Sequence, residues 1–261
     1  MNFRRVSAIV VHAWYHLNHS VETWVDVFWF PVINTMIFGL VALYFARSSS
    51  SEQSSIILLG ILLWQIIEMG VYSIAVGALW EVWSQSFSSL FVSPLRMKEY
   101  VLGQILFGLV KQSGVFLILS TVAYFAFNFW IWQLGWMLLV YALLLAIFSW
   151  AFGMFVLGLI LRFGTTIQSL SWGLVSILQP IVAVYFPIEI VPSQLRWISY
   201  SLPPTYIFES ARIQMLTGSA RLNLLLDAFV LDVVYLAASV LFLHSMWAAA
   251  KKTGVIVRME Q

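Results

Sequence analysis

Six stretches of mostly apolar residues, 24–45, 56–80, 101–127, 134–161, 167–186 and 228–250, constrain this chain more than any other feature. Each is long enough to cross a bilayer, because a hydrocarbon core of about 30 Å needs about 20 helical residues at 1.5 Å rise. No sustained period-two alternation occurs. Backbone inside lipid must hydrogen-bond to itself, so helices follow. Hydrophobic residues make up 62% of the chain and charged residues 9%, a balance that requires lipid as solvent. The sequence predicts an all-α integral membrane protein with one domain, 1–261, and six transmembrane helices.

Lysine and arginine positions set an expected orientation. A cytoplasmic N-terminus puts Arg4, Arg5, Arg96, Lys98, Arg162, Lys251, Lys252 and Arg258 inside. It leaves Arg47, Arg196, Arg212 and Arg221 outside and Lys111 within a span. The positive-inside rule then favours both termini in the cytoplasm. A net charge of +2 offers no basic stripe for nucleic acid, and the absence of cysteine excludes disulfides, thiolate catalysis and cysteine-held metals. The first 20 residues lack the pattern of a cleavable signal, so the first span is expected to direct insertion.

Between the N-terminus and the first span, Val6, Ile9, Val10, Ala13, Trp14, Leu17, Val21 and Trp24 recur at three-to-four spacing. They form the apolar stripe of an amphipathic helix, 1–23, expected to lie along the cytoplasmic interface. His12, His16, His19 and Glu22 occupy its other side; this reads as a polar interfacial face, and no metal site is assigned.

Segments 81–100 and 187–227 are the long connections. In the first, Trp83, Phe87, Leu90 and Phe91 form an aromatic stripe that breaks at Pro94 before Arg96, Lys98 and Glu99. Such a helix can fill a partner protein's groove or rest on lipid headgroups. The second is half apolar and interrupted by Pro187, Pro192, Pro203 and Pro204, so it is expected to re-enter the outer leaflet.

Two sets of motifs on these connections resemble those of the ABC-2 type permeases, the membrane subunits of one class of ATP-binding-cassette exporters. One is Ser93-Pro94-Leu95 with Tyr100-Val101-Leu102-Gly103. The other is Phe186-Pro187-Ile188-Glu189, Val191-Pro192, Leu202-Pro203-Pro204 and Glu209-Ser210-Ala211-Arg212. The resemblance covers essentially the whole chain. Many such permeases carry a glutamate followed by Gly-Thr after the second span, where this chain has Glu81 and then Ser84-Gln85-Ser86-Phe87; the departure bears on the sub-branch, and therefore on the cargo.

The resemblance implies that the N-terminal helix and the 81–100 loop contact an ATPase subunit, with Trp83, Phe87, Phe91, Pro94, Leu95 and Arg96 as the coupling residues. It also implies that spans two and five line the central interface. Candidate substrate contacts are then Gln65, Glu68 and Tyr72 on span two, Trp172, Ser176 and Gln179 on span five, and Trp29 and Phe30 on span one. Glu189, Arg196, Glu209 and Arg212 are expected to pair around an external gate. The Walker run Gly-x-x-x-x-Gly-Lys-Ser/Thr is absent, so the chain is not expected to be an enzyme. Any ATP and Mg would sit on a separate ATPase subunit, two copies of which would join a homodimer of this chain in a prokaryotic inner membrane.

The implied cargo is an amphipathic or lipid-linked molecule: a drug, antibiotic, glycolipid or polysaccharide. Ionisable groups within spans demand an explanation. Glu68 and Lys111 both fall near mid-membrane, which predicts an ion pair fixing spans two and three. A pathway role for either leaves open an ATP-independent channel or ion-coupled carrier.

Overall fold

The computed structural model describes residues 2–48 and 51–253; Arg258, counted above among the cytoplasmic charges, lies outside them. Every regular element among the described residues is helical. Five helices are long and apolar enough to cross a membrane: α2 (Val21–Arg47), α3 (Glu52–Trp83), α5 (Met97–Phe127), α6 (Met137–Ile167) and α10 (Leu222–Thr253). The amphipathic α1 (Phe3–His19) precedes them, and the six-residue α4 (Phe87–Val92) lies between α3 and α5. Three shorter helices, α7 (Leu170–Ile181), α8 (Arg196–Ser201) and α9 (Pro203–Thr217), separate α6 from α10.

Helix α3 is the buried axis of the bundle, with Ile61, Leu62, Leu63, Ile67 and Val71 wholly enclosed. It packs on α2, α5 and α6, while α10 lies along α6. Close approach is bought with small residues: a Cβ on Gly70 would fall 1.9 Å from Ser149 Oγ, and one on Gly103 would fall 2.6 Å from Ile9 Cβ, so α6 and α1 seat directly on neighbouring backbone. The outward faces of α2 and α10 remain apolar, as in Leu40, Phe229 and Val233. Lipid accepts such faces where water would not.

Helix α1 starts at Asn2, whose side chain accepts from Arg4 N at 3.1 Å, and stops at Ser20, whose hydroxyl caps α2 by accepting from Thr23 N at 3.2 Å. This Ser20 joint turns the chain from α1 into the first long helix.

The expected fifth span, 167–186, takes a different form. Its helix is confined to the 12 residues of α7, too short to cross a full bilayer as an α-helix. A 3-10 turn at Gly164–Ile167 precedes it, Pro180 removes one backbone donor near its end, and Ala183 adopts a φ of 54° that turns the chain. Segment 187–217 then folds back on the bundle. Ser199 Oγ donates to Ile181 O at 2.6 Å and Arg212 donates to Ala183 O at 2.8 Å, satisfying carbonyls left open where α7 stops. Hydropathy reports that 167–186 is apolar; it does not report where the hydrogen-bond ladder ends.

Candidate functional site

On one side of α3 the faces of α2 and α7 leave a groove of about 420 Å³, lined by Asp26, Phe30, Asn34, Gln65, Glu68, Met69, Tyr72 and Trp172 with apolar neighbours. A smaller space of about 140 Å³, lined by Trp64, Ser176 and Gln179 among others, shares Asn34, Glu68, Tyr72 and Trp172 with it. The two form one continuous recess. Of the residues expected on a substrate path, Phe30, Gln65, Glu68, Tyr72, Trp172, Ser176 and Gln179 line it together. Trp29 does not: it stands 62% exposed on the outer face of α2.

Asp26 and Asn34 are the additions. Both are polar positions inside the first span, and with Phe30 and Ile37 they fall at spacings of 4, 8 and 11 residues, one face of a helix. That spacing was readable in the sequence. What was not readable is that this face, rather than the one carrying Trp29, turns toward α3.

Tyr72 anchors the recess. Its hydroxyl donates to Asp26 Oδ2 at 2.8 Å and accepts from Trp80 Nε1 at 3.3 Å. Asp26 lies in a π-helical turn, Val25–Trp29, and Tyr72 begins another, Tyr72–Val76. Each extra residue rotates the following face about the helix axis, and such turns collect at functional sites. Gln65 Nε2 donates to Glu68 Oε2 at 3.1 Å.

The expected Glu68–Lys111 ion pair does not form. Lys111 instead places its ammonium 5.0 Å from the Tyr72 ring centroid and 5.3 Å from that of Phe107. It lines a separate small cavity under α1 with His16, Trp80 and Glu81. Central depth in two adjacent helices does not fix the direction in which each side chain leaves its axis.

A family model described as "ABC-2 type transporter" matches residues 10–216, from within α1 to the end of α9. The chain belongs to the ABC-2 type transporter family. No curated protein sequence matches it. Membership together with the five long apolar helices makes it a multi-pass membrane transport component.

At the end of the ABC-2 bundle where α3 stops, two carboxylates fasten α1 to the loop before α5. Glu81 accepts from Ser86 Oγ at 2.5 Å and meets His12 Nδ1 at 3.1 Å. Glu99 accepts from the backbone of Asn2 at 2.8 Å and of Arg96 at 3.1 Å, with Arg5 at 3.6 Å; Arg5 also donates to Pro94 O at 2.5 Å. The Glu81 contact raises the pKa of His12 above its ordinary value, whereas burial lowers that of His16. His19 stacks on Tyr15, and no metal-binding group of His, Asp or Glu occurs among the described residues.

The aromatic stripe of this loop faces inward. Phe87 is 0% exposed against Phe91 and Tyr100, and Phe91 packs on Trp247 of α10. Its outer surface is Ser89, Val92, Ser93, Pro94, Arg96 and Lys98, with Leu95 half-buried. An amphipathic period identifies a buried face without saying which body buries it. Trp83 points elsewhere: its Nε1 donates to Gln168 Oε1 at 3.1 Å and its ring lies parallel to that of Trp172, centroids 6.3 Å apart.

At the opposite end, Arg212 is buried, paired with Glu209 and bonded to Ala183 O. Arg196 donates to the carbonyls of Val191 and Glu189, not to the Glu189 carboxylate. The expected four-residue charge cluster is thus one ion pair, Glu209–Arg212, and one arginine that staples a turn.

Proposed function

We propose that this chain is the permease subunit of an ABC exporter: two copies form the membrane core, and two copies of a separate ATPase, carrying ATP and Mg, dock at the end that bears α1, α4 and Arg96. That end is cytoplasmic, as are both termini, and α7 with segment 182–190 completes a sixth, broken crossing in the cell membrane. Cargo enters the recess between α2, α3 and α7, and the re-entrant segment with the Glu209–Arg212 pair closes the outer end.

One observation carries the reading. Trp83, the last residue of α3 before the loop, lies against Trp172, a wall of the recess. A push on α4 reaches the end of α3 through the short 84–86 turn, which Ser86 ties to Glu81, and passes from Trp83 to the cavity wall by this ring contact. Movement of α4 also pulls on α1 through Glu81, Glu99 and Arg5, so loop and interfacial helix act as one body. Such coupled elements with two arrangements are what a switch between inward- and outward-open states requires. A channel or ion-coupled carrier that used Glu68 and Lys111 together is disfavoured, because the two line different cavities on either side of Tyr72.

The test is co-purification of the chain with the ATPase encoded beside it, followed by ATP hydrolysis with changes on the exposed loop surface, Val92→Asp and Arg96→Glu. Equal amounts of the two subunits, with these variants losing the partner or its stimulation, support the exporter. A permease that purifies alone and ignores the loop overturns it.

A further inference from the structure

The recess has an unbalanced charge. Asp26 and Glu68 both line it, and among the described residues no lysine, arginine or histidine does. Asp26 is bonded to a neutral phenol and Glu68 to a neutral amide, and neither carboxylate has an ion-pair partner among the described residues. Lys111, over the Tyr72 ring, lines the other cavity. Gln65 on the same wall is 1% exposed, yet its carbonyl oxygen has no donor. Two carboxylates without a cationic partner, beside one amide oxygen without a donor, call for a ligand that brings positive charge and N–H donors. Around these acceptors stand Phe30, Tyr72 and Trp172, whose ring faces attract cations. The volume lies in the range of pockets for drug-sized ligands, about 300–1,000 Å³.

We propose that this recess selects cationic amphiphiles, compounds with a quaternary or protonated nitrogen and an aromatic or aliphatic body, and rejects anionic lipids and phosphate-linked sugar carriers. A cation between Asp26 and Glu68 holds both ionised by direct attraction, whereas a phosphate there meets two like charges and no donor base. The cargo assignment rests on the exporter reading; the charge preference of the recess does not.

The experiment compares two probes of nearly the same shape and opposite charge, tetraphenylphosphonium and tetraphenylborate, binding to the full chain in lipid nanodiscs. Empty nanodiscs of the same lipid correct for partitioning. The expected result is binding of the phosphonium at least about tenfold tighter than the borate, a preference reduced in Glu68→Gln and Asp26→Asn. Equal affinity, tighter borate binding, or full phosphonium affinity in folded Glu68→Gln overturns the inference. The wild-type comparison decides even if both variants fail to fold. Association with the ATPase is scored on the same preparations: preference without association keeps the inference and overturns the exporter reading, and association without preference does the reverse.

Discussion

Tyr72 donates its hydroxyl to Asp26 at 2.8 Å, joining the first long helix to the buried axis of the bundle where both helices carry a π-helical turn. Tyr72→Phe keeps the ring, and with it the Lys111 contact, but leaves Asp26 without this donor. A buried acceptor left unmet costs about 1–3 kcal/mol and the half-buried Asp26 should sit at the low end, so the variant should fold with a modestly lowered thermal midpoint. It should also lose cargo-stimulated ATP hydrolysis in the assembled complex, since the α2 wall of the recess is no longer held. A variant with unchanged midpoint and stimulation would show that the bond does not hold that wall.

Attachment of α1 should pass through an optimum near neutral pH. The folded-state pKa of His12 is raised by Glu81, so its contribution is full below the unfolded value of about 6.5 and is lost as pH rises through the folded value. His16 has the opposite sign: burial lowers its pKa, so its contribution is present above about 6.5 and is lost as pH falls. Both rings are partly exposed and solvent screens them, so the effect should be local. Hydrogen exchange of α1 amides, corrected for intrinsic rate, should be slowest near pH 6.5. Glu81→Gln should remove the loss on the alkaline side and His16→Ala the loss on the acid side. A flat profile in the wild type would sink this account.

Much of this was legible in the sequence, and the misses share one cause. Apolar length located the five long helices because burial in lipid depends on composition alone. Gln65, Glu68 and Tyr72 were readable as one face because helical spacing fixes neighbours within a helix. Direction between helices is not encoded in spacing: Trp29 was expected inside and stands outside, Asp26 and Asn34 took its place, and Lys111 turned from Glu68 to aromatic rings. The end of α7 was also hidden, since it is set by side chains distant in sequence, Ser199 and Arg212, that satisfy its last carbonyls.

Lys111→Met should retain transport and raise stability. Lys111 is 8% exposed, has no ion-pair partner among the described residues, and its ammonium lies against ring faces. Methionine fills the same length without burying a charge, which favours the variant by about 1 kcal/mol after the ring contacts are subtracted. Thermal unfolding of the purified chain and cargo flux from reconstituted vesicles check both halves. A lowered midpoint would mean that the ammonium holds the helices together; folded protein without flux would put Lys111 on the path and revive the ion-coupled carrier.

The loop between α3 and α5 should separate into residues that hold it and residues that signal through it. Phe87 is wholly enclosed by the chain's own core, so Phe87→Ala should destabilise by about 3–5 kcal/mol whether or not an ATPase is present. Val92 is 89% exposed and touches nothing that would be lost, so Val92→Asp should leave the isolated permease's thermal midpoint unchanged. In the complex the order reverses: Val92→Asp should abolish partner binding, because a carboxylate would enter an apolar contact unpaired. Measuring the midpoint on the permease alone and ATPase retention on the complex separates the two roles. If Phe87→Ala left stability intact and lost only the partner, the aromatic stripe would be the docking face after all, and α4 would have to swing out from Tyr100 and Trp247 to reach it.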